Sequence, residues 1–160
     1  MMSKYKQKPL EKPRKKSSNS TLSEPRVGMS IQATIVRHID GLGSLKDYCI
    51  RDLVNHAEQF GSFLNNKKLK TSQVRKFLDA INQLKTEMTK DNDFKRIETG
   101  VVLLKPKLAY AAARQESAKP LSEVMSKAID KVETTEDFER LVQFIESIIA
   151  YHKAAGGKDI

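Results

Sequence analysis

From Leu45 to Tyr151 the large apolar residues recur at steps of three and four, interrupted by short polar stretches. Residues spaced that way share one face of an α-helix, whereas a half-buried strand would alternate at every second residue. Leu45, Cys49, Leu53, His56, Phe60 and Phe63 form a first amphipathic segment starting near Ser44 and ending at Asn65-Asn66. Thr71 is a natural N-cap for a second, with the stripe Val74, Phe77, Leu78, Ile81, Leu84 and Met88. A third is capped by Asp91 or Asn92 and carries Phe94, Ile97, Val101, Leu104 and Leu108. Pro106 falls inside it and should kink or break it by removing a backbone donor. Pro120 opens a fourth as its first residue, with Leu121, Val124, Met125, Ala128 and Ile129 inward. Thr134 or Thr135 caps the last, helped by Glu136, Asp137 and Glu139, and Gly156-Gly157 stops it. No stretch alternates like a strand. The fold class that follows is all-α, a compact antiparallel bundle of about five helices joined by short loops.

The last segment is apolar on more than one side. Phe138, Leu141, Val142, Ile145, Ile148 and Ile149 make one stripe, and Phe144 with Tyr151 lies off it. Either it is the central helix or it buries a second face against another subunit.

Before this pattern the chain is of a different kind. Residues 1–28 are rich in Lys, Ser and Pro, with too few large apolar groups to offset chain entropy, and read as a basic tail disordered on its own. Residues 29–43 read as a linker, 44–157 as the helical bundle domain and 158–160 as a C-terminal end. Charge divides unevenly: residues 1–26 hold eight Lys/Arg and two Glu, and residues 67–114 hold twelve Lys/Arg and five acids. Residues 115–160 instead hold six Lys/Arg and nine acids. With a net charge of +9 arranged this way, one positive surface facing a polyanion is the first partner to consider.

Chemistry is sparse. The lone Cys49 excludes an internal disulfide and fits a reducing compartment; on the buried stripe it reads as an inert core thiol. His38 lies in the linker, His56 reads as an inward packing residue, and His152 should sit at a helix C-terminus that favours its charged form. No two of them have metal-ligand spacing, no P-loop is present, and the acid pairs Asp91 with Asp93 and Glu136-Asp137 fall at helix starts, where capping accounts for them. The reading is a non-enzyme without cofactor or metal. No apolar run reaches membrane length and the Lys-rich start lacks a signal peptide's apolar core, so no membrane partner and a cytoplasmic location are expected.

The basic side carries more. Between Leu104 and Arg114, Lys107 and Arg114 fall about 20° apart on a helix with Tyr110 beside them, while Leu104, Leu108, Ala111 and Ala112 are apolar or small. Two cations flanking an aromatic suit phosphates and stacked bases, although a solvated face would have the same composition. Lys67, Lys68 and Lys70 precede the second helix and Arg75 and Lys76 lie in its first two turns. The helix dipole disfavours cations there, and a bound phosphate backbone would resolve the conflict.

Three segments in order resemble the small subunit of the type III-A CRISPR interference complex, the Csm complex. They are Lys70-Thr71-Ser72-Gln73-Val74-Arg75-Lys76-Phe77, the run from Leu104 through Lys105-Pro106-Lys107 to Arg114, and Glu136-Asp137-Phe138 running to Tyr151-His152-Lys153. The likeness spans roughly residues 45–157 and departs at Ala113, where the family would have Gly. It implies a non-catalytic, RNA-binding helical subunit of an antiviral ribonucleoprotein. Several copies would self-associate along the duplex of CRISPR guide RNA and target RNA, beside the backbone and large subunits. Arg75, Lys105, Lys107 and Arg114 would be the phosphate contacts with Tyr110 beside them, and Lys68, Lys70 and Lys76 follow by charge and position. The apolar excess of the last helix would serve subunit stacking. Two other classes fit the residues less well: a small helical DNA-binding regulator, and a protein-interaction bundle with an acidic partner.

Overall fold

A computed structural model describes residues 29–157, so the expectations for residues 1–28 and 158–160 lie outside the described residues. The described residues form seven α-helices and no strand, in agreement with the all-α reading. In chain order they are α1 (Ile31–Asp40), α2 (Ile50–Asn66), α3 (Thr71–Thr89), α4 (Glu98–Val102), α5 (Leu104–Arg114), α6 (Lys119–Ile129) and α7 (Thr135–Ala154). Short 3-10 turns at Leu45–Asp47, Phe94–Arg96 and Glu116–Ala118 link them.

Two differences explain the helix number. Residues 29–43, expected as a linker, instead carry α1. Ser30 caps it by accepting from the Ala33 N–H at 3.1 Å, and Ile31, Ile35 and Ile39, four apart, are all buried. Burying each isoleucine contributes about 1.5–3 kcal/mol, ample reason for the segment to join the core. The third segment divides at Leu103 into α4 and α5. Pro106 is the reason: its ring would clash with the Val102 carbonyl four residues back, whereas in the first turn of α5 its missing N–H costs nothing.

α7 is the central helix. Phe138, Leu141, Phe144, Ile145 and Ile148 are fully buried, and α7 packs on α2 and α3. Phe144 meets the Tyr48 ring at 5.4 Å, so this part of the helix's apolar excess is used inside the chain, while Ile149 and Tyr151 are half-buried. The α2–α7 approach is close enough to require Gly61: a Cβ there would lie 2.6 Å from the backbone nitrogen of His152.

Both ends of α7 are tied to neighbouring segments. At its start Thr134 and Asp137 form a capping box. The buried Asp137 carboxylate also accepts from the Lys46 N–H at 2.8 Å, and from Glu133 and Thr134 N–H at 3.0 and 3.1 Å. Burial pushes its pKa up, but these hydrogen bonds outweigh that and hold the carboxyl below its usual value. Arg140 donates to the carbonyls of Lys46 and Tyr48. The backbone of residues 45–48 is thereby committed to α7, and α2 begins at Ile50 rather than near Ser44. Tyr48 takes the buried place and Cys49, expected in the core, is exposed at the cap position.

At the other end His152 is fully buried, contrary to the expected charged helix terminus. Its Nε2–H donates to the Leu69 carbonyl at 2.6 Å, since a carbonyl can only accept, and Nδ1 takes the Thr71 hydroxyl at 3.2 Å. Burial lowers its pKa, so the neutral ring is the stable form. Thr71 is accordingly the first residue of α3 and not its cap; Lys70 takes that position without a side-chain capping bond. His56 is buried as expected, with the Tyr48 hydroxyl donating to its Nδ1 at 2.7 Å and the His38 ring 5.2 Å away. Burial pushes its pKa down to about 4.

Candidate nucleic-acid interface

The α2–α3 connection is built to display lysines. Lys68 adopts φ 70°, and the Leu69 N–H returns to the Leu64 carbonyl at 3.1 Å while the Lys68 N–H returns to Asn65 at 3.0 Å. This is a Schellman closure with lysine where glycine is favoured. Leu69 is buried and its carbonyl is held by His152, so Lys68 and Lys70 on either side are exposed. α3 then begins with no acidic residue in its first turn.

Across from it, α5 stands against α6 and leaves a groove towards α3 enclosing about 320 Å³. Phe77, Leu104, Leu108 and Leu121 form its apolar lining, and Lys76, Lys107, Arg114 and Tyr110 stand along it. Tyr110 is 66% exposed, and the Arg114 guanidinium lies 5.7 Å from its ring centre, a cation–π contact that orients both groups. A second hollow lined by Ala80, Leu84, Leu103, Leu104 and Lys107 continues the groove past the α4–α5 junction.

Carboxylate pairing separates the candidate cations. Lys105 is ion-paired with Asp130, and Arg96, Lys119 and Lys127 are paired with Asp91, Glu116 and Asp40. Lys68, Lys70, Arg75, Lys76, Lys107 and Arg114 have no carboxylate partner among the described residues. The groove therefore gathers Lys76, Lys107, Arg114 and Tyr110. Arg75, one residue from Lys76 and so about 100° round α3, is exposed but does not line it. Lys105 is about 200° round α5 from Lys107 and reaches α6 instead.

Gln73, Ala80 and Gln115 also line the groove, three residues without the charge or aromatic ring that marks the others in the sequence. For the first two a signal existed: Gln73, Lys76, Phe77 and Ala80 are spaced by three and four and share one face of α3. Gln115 follows α5, where no periodicity points to it. Among the described residues no three His, Cys, Asp or Glu side chains converge to hold a metal ion, and no helix is long and apolar enough to cross a membrane.

The profile of a family described as Csm2 Type III-A matches residues 47–158, which include every one of these side chains. The chain belongs to that family. A Streptococcus thermophilus protein named CRISPR system Cms protein Csm2 is 31% identical over 96 residues, 59% of this chain and 78% of that protein. No solved structure matches. Membership makes the chain a small subunit of a type III-A CRISPR complex, in the company of other Csm subunits and RNA. The Csm2 match begins at residue 47, so α1 lies outside it.

Proposed function

We propose that this Csm2-family chain is a non-catalytic RNA-holding subunit of a type III-A effector. Several copies stack along the guide–target duplex and grip target-strand phosphates in antiviral defence. The observation that carries the reading is the α3–α5 groove, where Lys76, Lys107 and Arg114, free of acidic partners, stand with an exposed Tyr110. Cations left unpaired on a folded surface retain their full counterion-release gain when they meet phosphates. Lys68, Lys70 and Arg75 extend the positive surface around the start of α3, whose unpaired N–H groups add to it. None of these groups requires a base sequence, which is appropriate where guide pairing supplies specificity.

The test is binding of single-stranded RNA by the full chain and by a variant with Lys76, Lys107 and Arg114 all changed to Gln. Losing three phosphate contacts should lower the salt slope by about 2 and the affinity by about 100-fold near 0.1 M salt. Circular dichroism and melting should be unchanged. A variant that keeps the parental slope would remove the groove from the RNA interface.

A further inference from the structure

Gripping phosphates needs cations, but it does not need a hollow. The space between α3 and α5 exists because Ala80 and Ala111 stand in its walls, where a larger side chain would fill it. Its lining is apolar, yet its edge carries the side-chain amides of Gln73 and Gln115, neither of which makes a hydrogen bond within the described residues. Tyr110 stands beside it as an exposed aromatic held by Arg114. An unpaired nucleobase has two apolar faces, a polar edge and a phosphate on either side, and each feature has a counterpart here. An apolar side chain from a protein partner would match the lining alone and leave the amides and cations without purpose.

We propose that this hollow takes one unpaired nucleobase of the bound RNA. Tyr110 stacks on the base, Gln73 and Gln115 meet its edge, and Lys76, Lys107 and Arg114 hold the adjoining phosphates. A glutamine amide both donates and accepts and can turn over, so the pocket accepts any base and adds affinity without a sequence preference. This rests on the RNA-binding reading and adds to it a subsite for the base.

The experiment compares a short single-stranded uridine oligomer with an abasic ribose-phosphate oligomer of equal length and charge, both titrated against the full chain. The uridine oligomer should bind more tightly by roughly 5- to 150-fold, the range that stacking one base spans. Ala111→Leu fills the hollow without touching a charge. It should abolish that preference while leaving abasic affinity, salt slope and melting temperature unchanged. Tyr110→Ala should reduce the preference and Tyr110→Phe retain it. Equal affinity of the two oligomers for the parent chain would overturn the subsite and leave the phosphate grip standing. Binding of both that is absent or insensitive to salt would overturn the underlying reading as well. If Ala111→Leu leaves both RNAs unaffected and instead weakens association with other subunits of the complex, the hollow holds protein and the proposal fails.

Discussion

Changing Lys107 to Gln should weaken RNA binding, whereas the same change at Lys105, two residues earlier, should not. Lys107 lies along the α3–α5 groove with no carboxylate partner among the described residues. Lys105 is half-buried and ion-paired with Asp130 of the α6 C-cap. A single phosphate contact on a single strand contributes about 0.7 to the slope of log affinity against log salt. Near 0.1 M salt that is about fivefold in affinity relative to 1 M, or about 1 kcal/mol. Lys107→Gln should lose that factor and flatten the slope by about 0.7. Lys105→Gln should keep both and lose at most about 1 kcal/mol of folding stability, the usual ceiling for a partly exposed ion pair. Fluorescence anisotropy of labelled single-stranded RNA over a salt series reads the first effect, and urea unfolding reads the second. If the two variants lose slope equally, or Lys105→Gln alone does, the assignment of the groove face is wrong.

Lys68→Gly should raise stability by about 1 kcal/mol in urea unfolding, because it removes a side chain from φ 70°, and should weaken RNA binding about fivefold near 0.1 M salt through loss of one phosphate contact. Gly61→Ala places a Cβ 2.6 Å from backbone on α7 and should destabilise by about 1–3 kcal/mol, seen as a lower urea midpoint at unchanged slope. Stability should fall as pH drops from 7 towards 5. His56 and His152 both have lowered pKa values in the fold, so their contribution is complete above the unfolded value near 6.5 and is lost as pH falls towards the folded ones. For His56, with a folded pKa of about 4, the loss by pH 5 is on the order of 2 kcal/mol. Urea midpoints across that range check it, and the His56→Gln variant should show the smaller decline.

Helix periodicity made most of the fold legible. Phe94, Ile97, Val101, Leu104 and Leu108 are all buried as their spacing implies, and Pro106 marked a break that falls at Leu103. What escaped was decided by long-range bonds. The run from Leu45 to Cys49 has a helical spacing, but Asp137 and Arg140, some ninety residues away, take its backbone and expel Cys49 from the core. His152 and Thr71 have the local marks of a helix end and a cap, and nothing local shows that they meet each other. α1 has a legible stripe in Ile31, Ile35 and Ile39, but it is short and lies between a polar tail and two glycines. In the candidate interface, spacing alone put Lys107, Tyr110 and Arg114 together, and the structure sets them along one groove. Spacing could not place Lys76 opposite them, nor show Asp130 drawing Lys105 away, because both depend on how α3 and α6 pack against α5.

Ultraviolet crosslinking of the assembled, RNA-loaded complex, with the crosslinked peptides of this chain identified by mass spectrometry, reads directly which face of the chain holds RNA. RNA should be attached within α3 and α5, with Tyr110 foremost because it is exposed and aromatic. Crosslinks confined to residues 1–28, or to the face of α7 away from α3, would contradict it.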